Sequence, residues 1–476
     1  MRKKLILILL LLSSCKWQNE KAQMTKDVSL TKTVQDAKNS ELFMIGDYPE
    51  NKWWDEFNDD HLSCLVETAL ATNPGLLGTK QRVEVANQTA LMVRSQLFPD
   101  ISTLFQYGWL YLADNNFLGA LFPEIKNSYY LYNLMFNFNY DLDFWGKNQK
   151  KYKAALGSAH ATRLSYEQSK VILSTSIAKS YFTLLAMKAK KEVVEQMLSR
   201  KQAYYELVKI RQKNRIDSKL DQNTFNQTVK GIEETLTALN QEILLQSSLI
   251  NILVGRNPET EVETAKIYEA FNRKLEIPGN ITTTLLARRP DLLSALWVTK
   301  KSALDVGVSV TEFLPDVTLM ESPFLISNQG NKLFNKDSFA NILLPEITQP
   351  IFTGGRLLAN WRKSIAAYES SVYEFNELFL NAAKEVYDSV TKYIESDEMK
   401  DIQEEKLHLA KKNYELQFLR FNNGISSMMD VLEYDEIYLQ NKVMMIEKQR
   451  LQCISYISFI KALGGGFEDQ EAVKLE

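Results

Sequence analysis

Histidine and cysteine are scarce in this chain, at three residues each. His61, His160 and His408 stand far apart, with no Ser/His pairing and no metal-ligand spacing, so no enzyme constellation, cofactor or metal is expected. Proline is unevenly spread. None lies between Pro123 and Pro258 and none follows Pro350, so two long tracts lack the residue that most reliably ends a helix. An excess of positive charge is missing too. The formal net charge is −3, and no basic stripe carries interleaved aromatics, which excludes a nucleic-acid partner. Long hydrophobic runs are also absent. The unbroken one, Leu5–Leu12, is far short of the roughly 20 residues a helix needs to cross a membrane, and no later segment does better.

That short run has a different use. Arg2, Lys3 and Lys4 precede it and Leu12-Ser13-Ser14-Cys15 follows it, the pattern of a secretory signal over residues 1–14. The small residues before Cys15 resemble a bacterial lipobox, in which the cysteine is lipidated and becomes the first residue of the mature protein. Residues 15–52 are polar and lack periodicity, which predicts a lipid-anchored extended leader. Cys64 and Cys453 lie in apolar helical surroundings and are expected to be buried thiols.

One stretch is written twice. Tyr205–Asp221 and Tyr414–Asp430 share Tyr, Glu, Leu, Arg, Asn, Ile, Ser and Asp at an offset of 209, where chance would leave about one match. An Asn-rich break interrupts each copy, and a polar break between two helical runs predicts the tip of a helical hairpin. Asn73-Pro74 and Arg289-Pro290, like Pro99-Asp100 and Pro315-Asp316, recur at an offset of 216. The second copy is therefore shorter between Val317 and Gly355, as befits a loop. The first repeat is placed at 53–270, the second at 271–466, and a C-terminal tail at 467–476.

Between those anchors the period changes to two. Tyr130, Tyr132, Leu134, Phe136, Phe138, Tyr140, Leu142 and Phe144 alternate with Asn133, Asn137, Asn139, Asp141 and Asp143. An aromatic face toward lipid and an amide face toward a wet lumen is the pattern of a transmembrane barrel strand. Ile101–Tyr111 is expected to pair with it through the Ala113–Asn127 loop. Weaker strands fall near Val317–Phe324 and Phe339–Phe352, interrupted by Pro345 and Pro350. The two hairpins thus span about 101–144 and 317–352.

After Gly146 and its twin Gly355 the helical tracts begin. Lys147–Lys213 alone would measure roughly 100 Å as one helix. Leu173, Ile177, Tyr181 and Leu184, and Phe379, Ala383, Val386, Val390 and Tyr393, step by three and four like a coiled-coil seam. The Gly464-Gly465-Gly466 cluster has no helix or lysine after it, so it predicts a helix terminus and not a phosphate loop.

Four strands cannot close in lipid, where every backbone group needs a partner. Three copies would supply twelve strands, and the helices would continue below the barrel as a long tube. On Arg288-Arg289-Pro290-Asp291-Leu292, Pro350-Ile351-Phe352-Thr353-Gly354-Gly355-Arg356, Arg420-Phe421-Asn422-Asn423-Gly424, Asp430-Val431-Leu432-Glu433 and the lipobox at Cys15, the chain resembles outer membrane efflux proteins of the TolC family. Within that family it is similar to the OprM- and CusC-like (NodT-type) lipoproteins.

The resemblance implies a fold in which an antiparallel α-helical coiled-coil barrel continues a trimeric twelve-stranded β-barrel, four strands per chain, from two internal repeats. It implies a homotrimeric passive duct in outer membrane lipids, its helical tunnel in the periplasm, docked to a periplasmic adaptor and an inner-membrane pump. The family's tunnel constriction falls on Met429 and Glu433, with Asp430 beside them and Phe421 where the family has tyrosine. Arg420 and Gly424, with Arg211 and Asn214 in the first copy, match the tip that meets the adaptor. Asn133, Asn137, Asn139 and Asp141 are expected to hydrate the lumen. A protein-secretion duct and a pore-less structural coiled-coil lipoprotein of the periplasm are the alternatives.

Overall fold

The computed structural model describes residues 22–25, 30–40, 42–111, 128–216, 218–265, 275–278, 285 and 287–468. The signal segment, Cys15, the Ala113–Asn127 loop and the tail beyond Glu468 lie outside the described residues. The elements in order are α1 (Thr31–Asn39), β1 (Phe43–Gly46), a 3-10 turn at Trp53–Phe57, α2 (Asp60–Thr72), α3 (Pro74–Ser95), β2 (Asp100–Tyr111), β3 (Ser128–Asp141), α4 (Lys147–Lys213) and α5 (Lys219–Val254). They continue with β4 (Leu275–Pro278), α6 (Pro290–Thr311), β5 (Asp316–Ser327), β6 (Phe339–Thr348), α7 (Arg356–Asn422) and α8 (Met428–Ala462). The chain divides into two compact units, one of Met1–Met24, Glu84–Ala161 and Ala295–Asn376, the other of Thr25–Val83, Thr162–Ser294 and Glu377–Glu476. Each repeat contributes to both.

The first unit holds a four-stranded antiparallel sheet in the order β2-β3-β5-β6. Tyr132 faces Tyr107 and Ser327, which sets the aromatic residues of β2 and β3 on one side. β3 ends at Asp141, three residues before the alternation does. Asp143 serves the next helix instead: its carboxylate accepts the N–H groups of Asn148 (3.1 Å) and Gln149 (2.9 Å), an anion at the positive end of α4. β6 likewise stops at Thr348, short of the expected Phe352, because Pro350 cannot donate to a ladder. Pro345 sits inside β6 opposite Leu319, and β6 is an edge strand of the sheet within the chain.

The second unit is built on helix packing. Every seam residue named above is buried in α4 and α7. Ala186, Val193, Leu439 and Ile446 form a core between α4 and α8. Three ion pairs run along the same contact: Lys190 to Glu447 (2.6 Å), Lys201 to Glu436 (2.6 Å), and Arg200 to Asp435. Leu432, Asp435 and Leu439 step by three and four, so the Asp435 carboxylate occupies a seam position and is buried with its charge. Burial raises its pKa against the pull of Arg200.

The N-terminal segment closes this unit. Trp53, Trp54 and Phe57 are buried, and Phe57 lies 4.7 Å from the Phe182 ring and 5.6 Å from Tyr456. Asp59 caps α2 by accepting from the His61 and Leu62 N–H groups, and it also accepts the Tyr181 hydroxyl at 2.5 Å. The polar leader is not extended throughout, since Thr31–Asn39 is helical, and Phe43 in β1 gives it an apolar foothold. Its ring stands edge-on to Tyr393 and Phe459, 5.5 Å from each, and β1 pairs in parallel with β4. Cys453 is buried, which pushes its thiol up to about 12. Cys64 is exposed, contrary to the reading from its apolar neighbours, since α2 turns Leu62, Leu65, Val66 and Ala69 inward and Cys64 away.

The repeats tie themselves off in parallel ways. Asn73 and Arg289, each before the proline that opens a helix, donate to the Leu253 (2.8 Å) and Ala462 (3.1 Å) carbonyls at the ends of α5 and α8. Arg289 is buried and holds Asp291 (2.7 Å) and Glu385 (2.8 Å) as well. Gly464 is obligatory here: its φ is +100, and a Cβ would meet the Arg288 carbonyl oxygen at 2.0 Å.

Two measurements check this packing. Arg200→Ala strands a buried carboxylate and should cost roughly 3 kcal/mol, whereas Asp435→Ala should cost less because Arg200 reaches water; urea unfolding followed by helical circular dichroism gives both. Glu447 is held at about 2: burial alone would raise it, but hydrogen bonds from Arg450 and Lys190 prevail. Its folded value is depressed, so its stabilisation is complete above its ordinary 4.5 and fades as pH falls from there through about 2. Glu447→Gln should flatten that limb of the acid-unfolding curve.

Candidate functional site

The two hairpin tips in the second unit have the same backbone construction. In the first, the Ile216 N–H donates to the Arg211 carbonyl and Arg215 to Gln212, both at 2.9 Å; in the second, Ile425 donates to Arg420 and Gly424 to Phe421, also at 2.9 Å. This six-to-one closure needs a left-handed residue, supplied by Arg215 (φ +57) and Gly424 (φ +71). Ser218 and Ser427 then cap α5 and α8, each in a reciprocal box with an aspartate three residues on. The duplicated Arg, Ile, Ser and Asp are therefore the parts of one turn.

Asp430 is occupied by this cap. Its carboxylate accepts the Ser427 N–H and hydroxyl, each at 2.9 Å, and these bonds hold it below the usual carboxylate range. Asp221 is held down in the same way by the Ser218 hydroxyl and N–H. Met429 and Glu433 lie one turn apart on α8 and are both exposed, while Phe421 is half-buried. Met428, not Met429, packs into the hairpin, joining Leu432 against Tyr204, Val208 and Phe225. Arg211, Asn214, Arg420 and Gly424 lie on the tip surfaces.

The tips also present apolar side chains at matching places. Leu207 and Leu416, Ile210 and Leu419, Leu220 and Met429 are all exposed, and Ile216 and Ile425 are 65% and 66% exposed. Two independent copies leaving the same side chains in water is a surface waiting for cover.

In the first unit the nominated strand residues share a face. The Asn133 amide donates to Gln106 (3.1 Å), the Ser322 hydroxyl to Asn137 (3.2 Å) and the Thr318 hydroxyl to Asp141 (2.9 Å), with Asn139 at the same parity. On the other face the Tyr107 ring stacks 6.3 Å from Tyr130 and lies tilted 5.1 Å from Tyr132. Gln106, Ser322 and Thr318 escaped the reading from sequence because only strand register reveals them. Among the described residues no helix is long and apolar enough to cross a membrane.

The family model described as "Outer membrane efflux protein" matches residues 65–252 and 282–465, most of both repeats. The pyoverdine export outer membrane protein OpmQ of Pseudomonas aeruginosa is 24% identical over 88% of each chain. The multidrug resistance outer membrane protein MdtQ of Escherichia coli O157:H7 is 25% identical over 97% of each. Among solved structures, the outer membrane protein VceC of Vibrio cholerae superposes with a TM-score of 0.79 at 26% identity, covering 88% of this chain and all of that one. The Campylobacter jejuni CmeC outer membrane channel gives 0.83 at 20% identity, over 90% and 92%. A family model that matches both repeats, together with relatives alike from end to end, makes this chain a member of the outer membrane efflux protein family, an outer membrane duct of an efflux system.

Proposed function

We propose that three copies close a twelve-stranded barrel, lipid-anchored through Cys15, that opens into a periplasmic tunnel formed by the helices of residues 53–270 and 271–466. One observation carries this reading. β2 and β6 are the edges of the sheet, and no described strand of the chain pairs with either outer edge. In lipid such edges must be covered, and a second copy offers the complementary strand. The aromatic face with Tyr107, Tyr130 and Tyr132 turns to lipid, and the face with Asn133, Asn137, Asn139 and Asp141 turns to the lumen. The relatives are named for export of pyoverdine and for multidrug resistance, which supports a small-molecule cargo driven by an inner-membrane pump.

The tips supply the lower end. Their matched apolar residues other than Met429, with Arg211, Asn214, Arg420 and Gly424, form the surface that a periplasmic adaptor covers. Met429 and Glu433 face the axis of a three-fold ring, where three carboxylates favour cations. Phe421 lacks a hydroxyl, so packing rather than a hydrogen bond holds its side of the constriction. Asp430 contributes by fixing the start of α8.

The detergent-solubilised protein should run as a trimer that heat dissociates and should give single-channel conductance in planar bilayers. A water-soluble monomer without conductance excludes the duct. Glu433→Gln should shift the reversal potential in a salt gradient toward less cation preference; an unchanged potential removes Glu433 from the pore. Ile216→Asp and Ile425→Asp, both at exposed sites, should leave the trimer intact and weaken adaptor binding by about tenfold, measured with purified proteins.

A further inference from the structure

The two strand-to-helix junctions of the first unit are built differently. After β3, Trp145 donates its indole N–H to the Pro315 carbonyl at 2.7 Å, Lys147 pairs with Asp316 at 3.0 Å, and Asp143 caps α4. After β6, the chain runs Pro350-Ile351-Phe352-Thr353-Gly354-Gly355 into α7. Ile351 is 95% exposed and Phe352 is 90% exposed, more than any other large apolar side chain among the described residues. The turn that leads to them is held to its own chain, since the Gln349 amide donates to the Phe313 carbonyl at 3.1 Å.

Their surroundings have a consistent chemistry. Leu343 and Ile347, at alternate positions of β6 on the aromatic side of the sheet, are exposed, and Ile351 continues that spacing. Phe144 at the twin junction is exposed at the same end of the sheet. Immediately beyond, α7 opens with Arg356, Arg362 and Lys363, all exposed, and no acidic residue precedes Glu369. Arg356 and Lys363 lie two turns apart on one side, a rise of roughly 10 Å, the depth of a lipid headgroup layer. An apolar wedge followed by cations at headgroup depth fits an acyl chain with an anionic head.

We propose that Ile351 and Phe352, with Arg356, Arg362 and Lys363, bind anionic glycerophospholipid of the inner leaflet of the outer membrane. The wedge enters the boundary between headgroups and acyl chains, and the cations pair with the phosphates. The first junction is latched by Trp145, Lys147 and Asp143; at the second, beyond the bond from Gln349 to Phe313, Ile351 and Phe352 are held from outside, by lipid. This rests on the barrel reading given above.

The test uses the full-length trimer carrying Cys64→Ser with either Ile351→Cys or Phe352→Cys, labelled with a polarity-sensitive fluorophore and reconstituted into vesicles of phosphatidylcholine with phosphatidylglycerol. Spin-labelled lipid with its nitroxide near the headgroup should quench both labels. Phosphatidylglycerol retained on the detergent-solubilised trimer, counted by native mass spectrometry, should bind about fivefold more weakly for each charge removed in Arg356→Gln and Lys363→Gln. A labelled trimer whose fluorophores are shielded from lipid means that a neighbouring copy covers the wedge, and this overturns the proposal while the barrel stands. Quenching with unchanged phosphatidylglycerol retention also overturns it, because the wedge would then meet lipid without selecting charge. Failure of the wild-type chain to form a trimer overturns the barrel reading beneath it.

Discussion

Peptide groups along the outer edges of β2 and β6, which no described strand pairs, are the constraint from which the other features follow. A sheet of four strands with one aromatic face cannot rest in water without exposing that face, nor in hydrocarbon without stranding its edges. Assembly with further copies would resolve both at once. The polar ladder of Asn133, Asn137 and Asp141 is answered across a strand by Gln106, Ser322 or Thr318, so hydrogen bonds on that face are already made within the sheet.

The helical unit solves a different problem, holding long antiparallel helices in one register. Apolar seams are forgiving of a slip by one heptad, because leucine replaces leucine. The buried Asp435 opposite Arg200 is not, since a slip would leave a carboxylate facing apolar side chains. Lys190 with Glu447 and Lys201 with Glu436 repeat the same alignment along the contact. At the ends of α5 and α8 the tie is made by Asn73 and Arg289, so each repeat locks its returning helix to its own opening proline.

Much of this was legible in the sequence for physical reasons. A proline-free tract bounded by Gly146 and an Asn-rich break gave the full span of α4, and the alternation over Tyr130–Phe144 gave β3 but overran its end at Asp141. The tips were readable because duplication marks the residues that a turn cannot vary, even before the turn was known. β5 and β6 were faint because Glu321 and Pro323 interrupt the apolar parity of one and Pro345 that of the other; only the repeat located them. Short-range pattern has no access to partners 235 residues apart, such as Arg200 and Asp435. Nor could it foresee β1 against β4, four residues each, or the outward turn of Cys64.

Arg215 and Gly424 occupy the same left-handed pivot in the two copies of one turn. An L-residue with a side chain pays roughly 1 kcal/mol there and has few other conformations to visit, while glycine crosses that region of the map freely. The duplicated tips are thus alike in form and unequal in compliance.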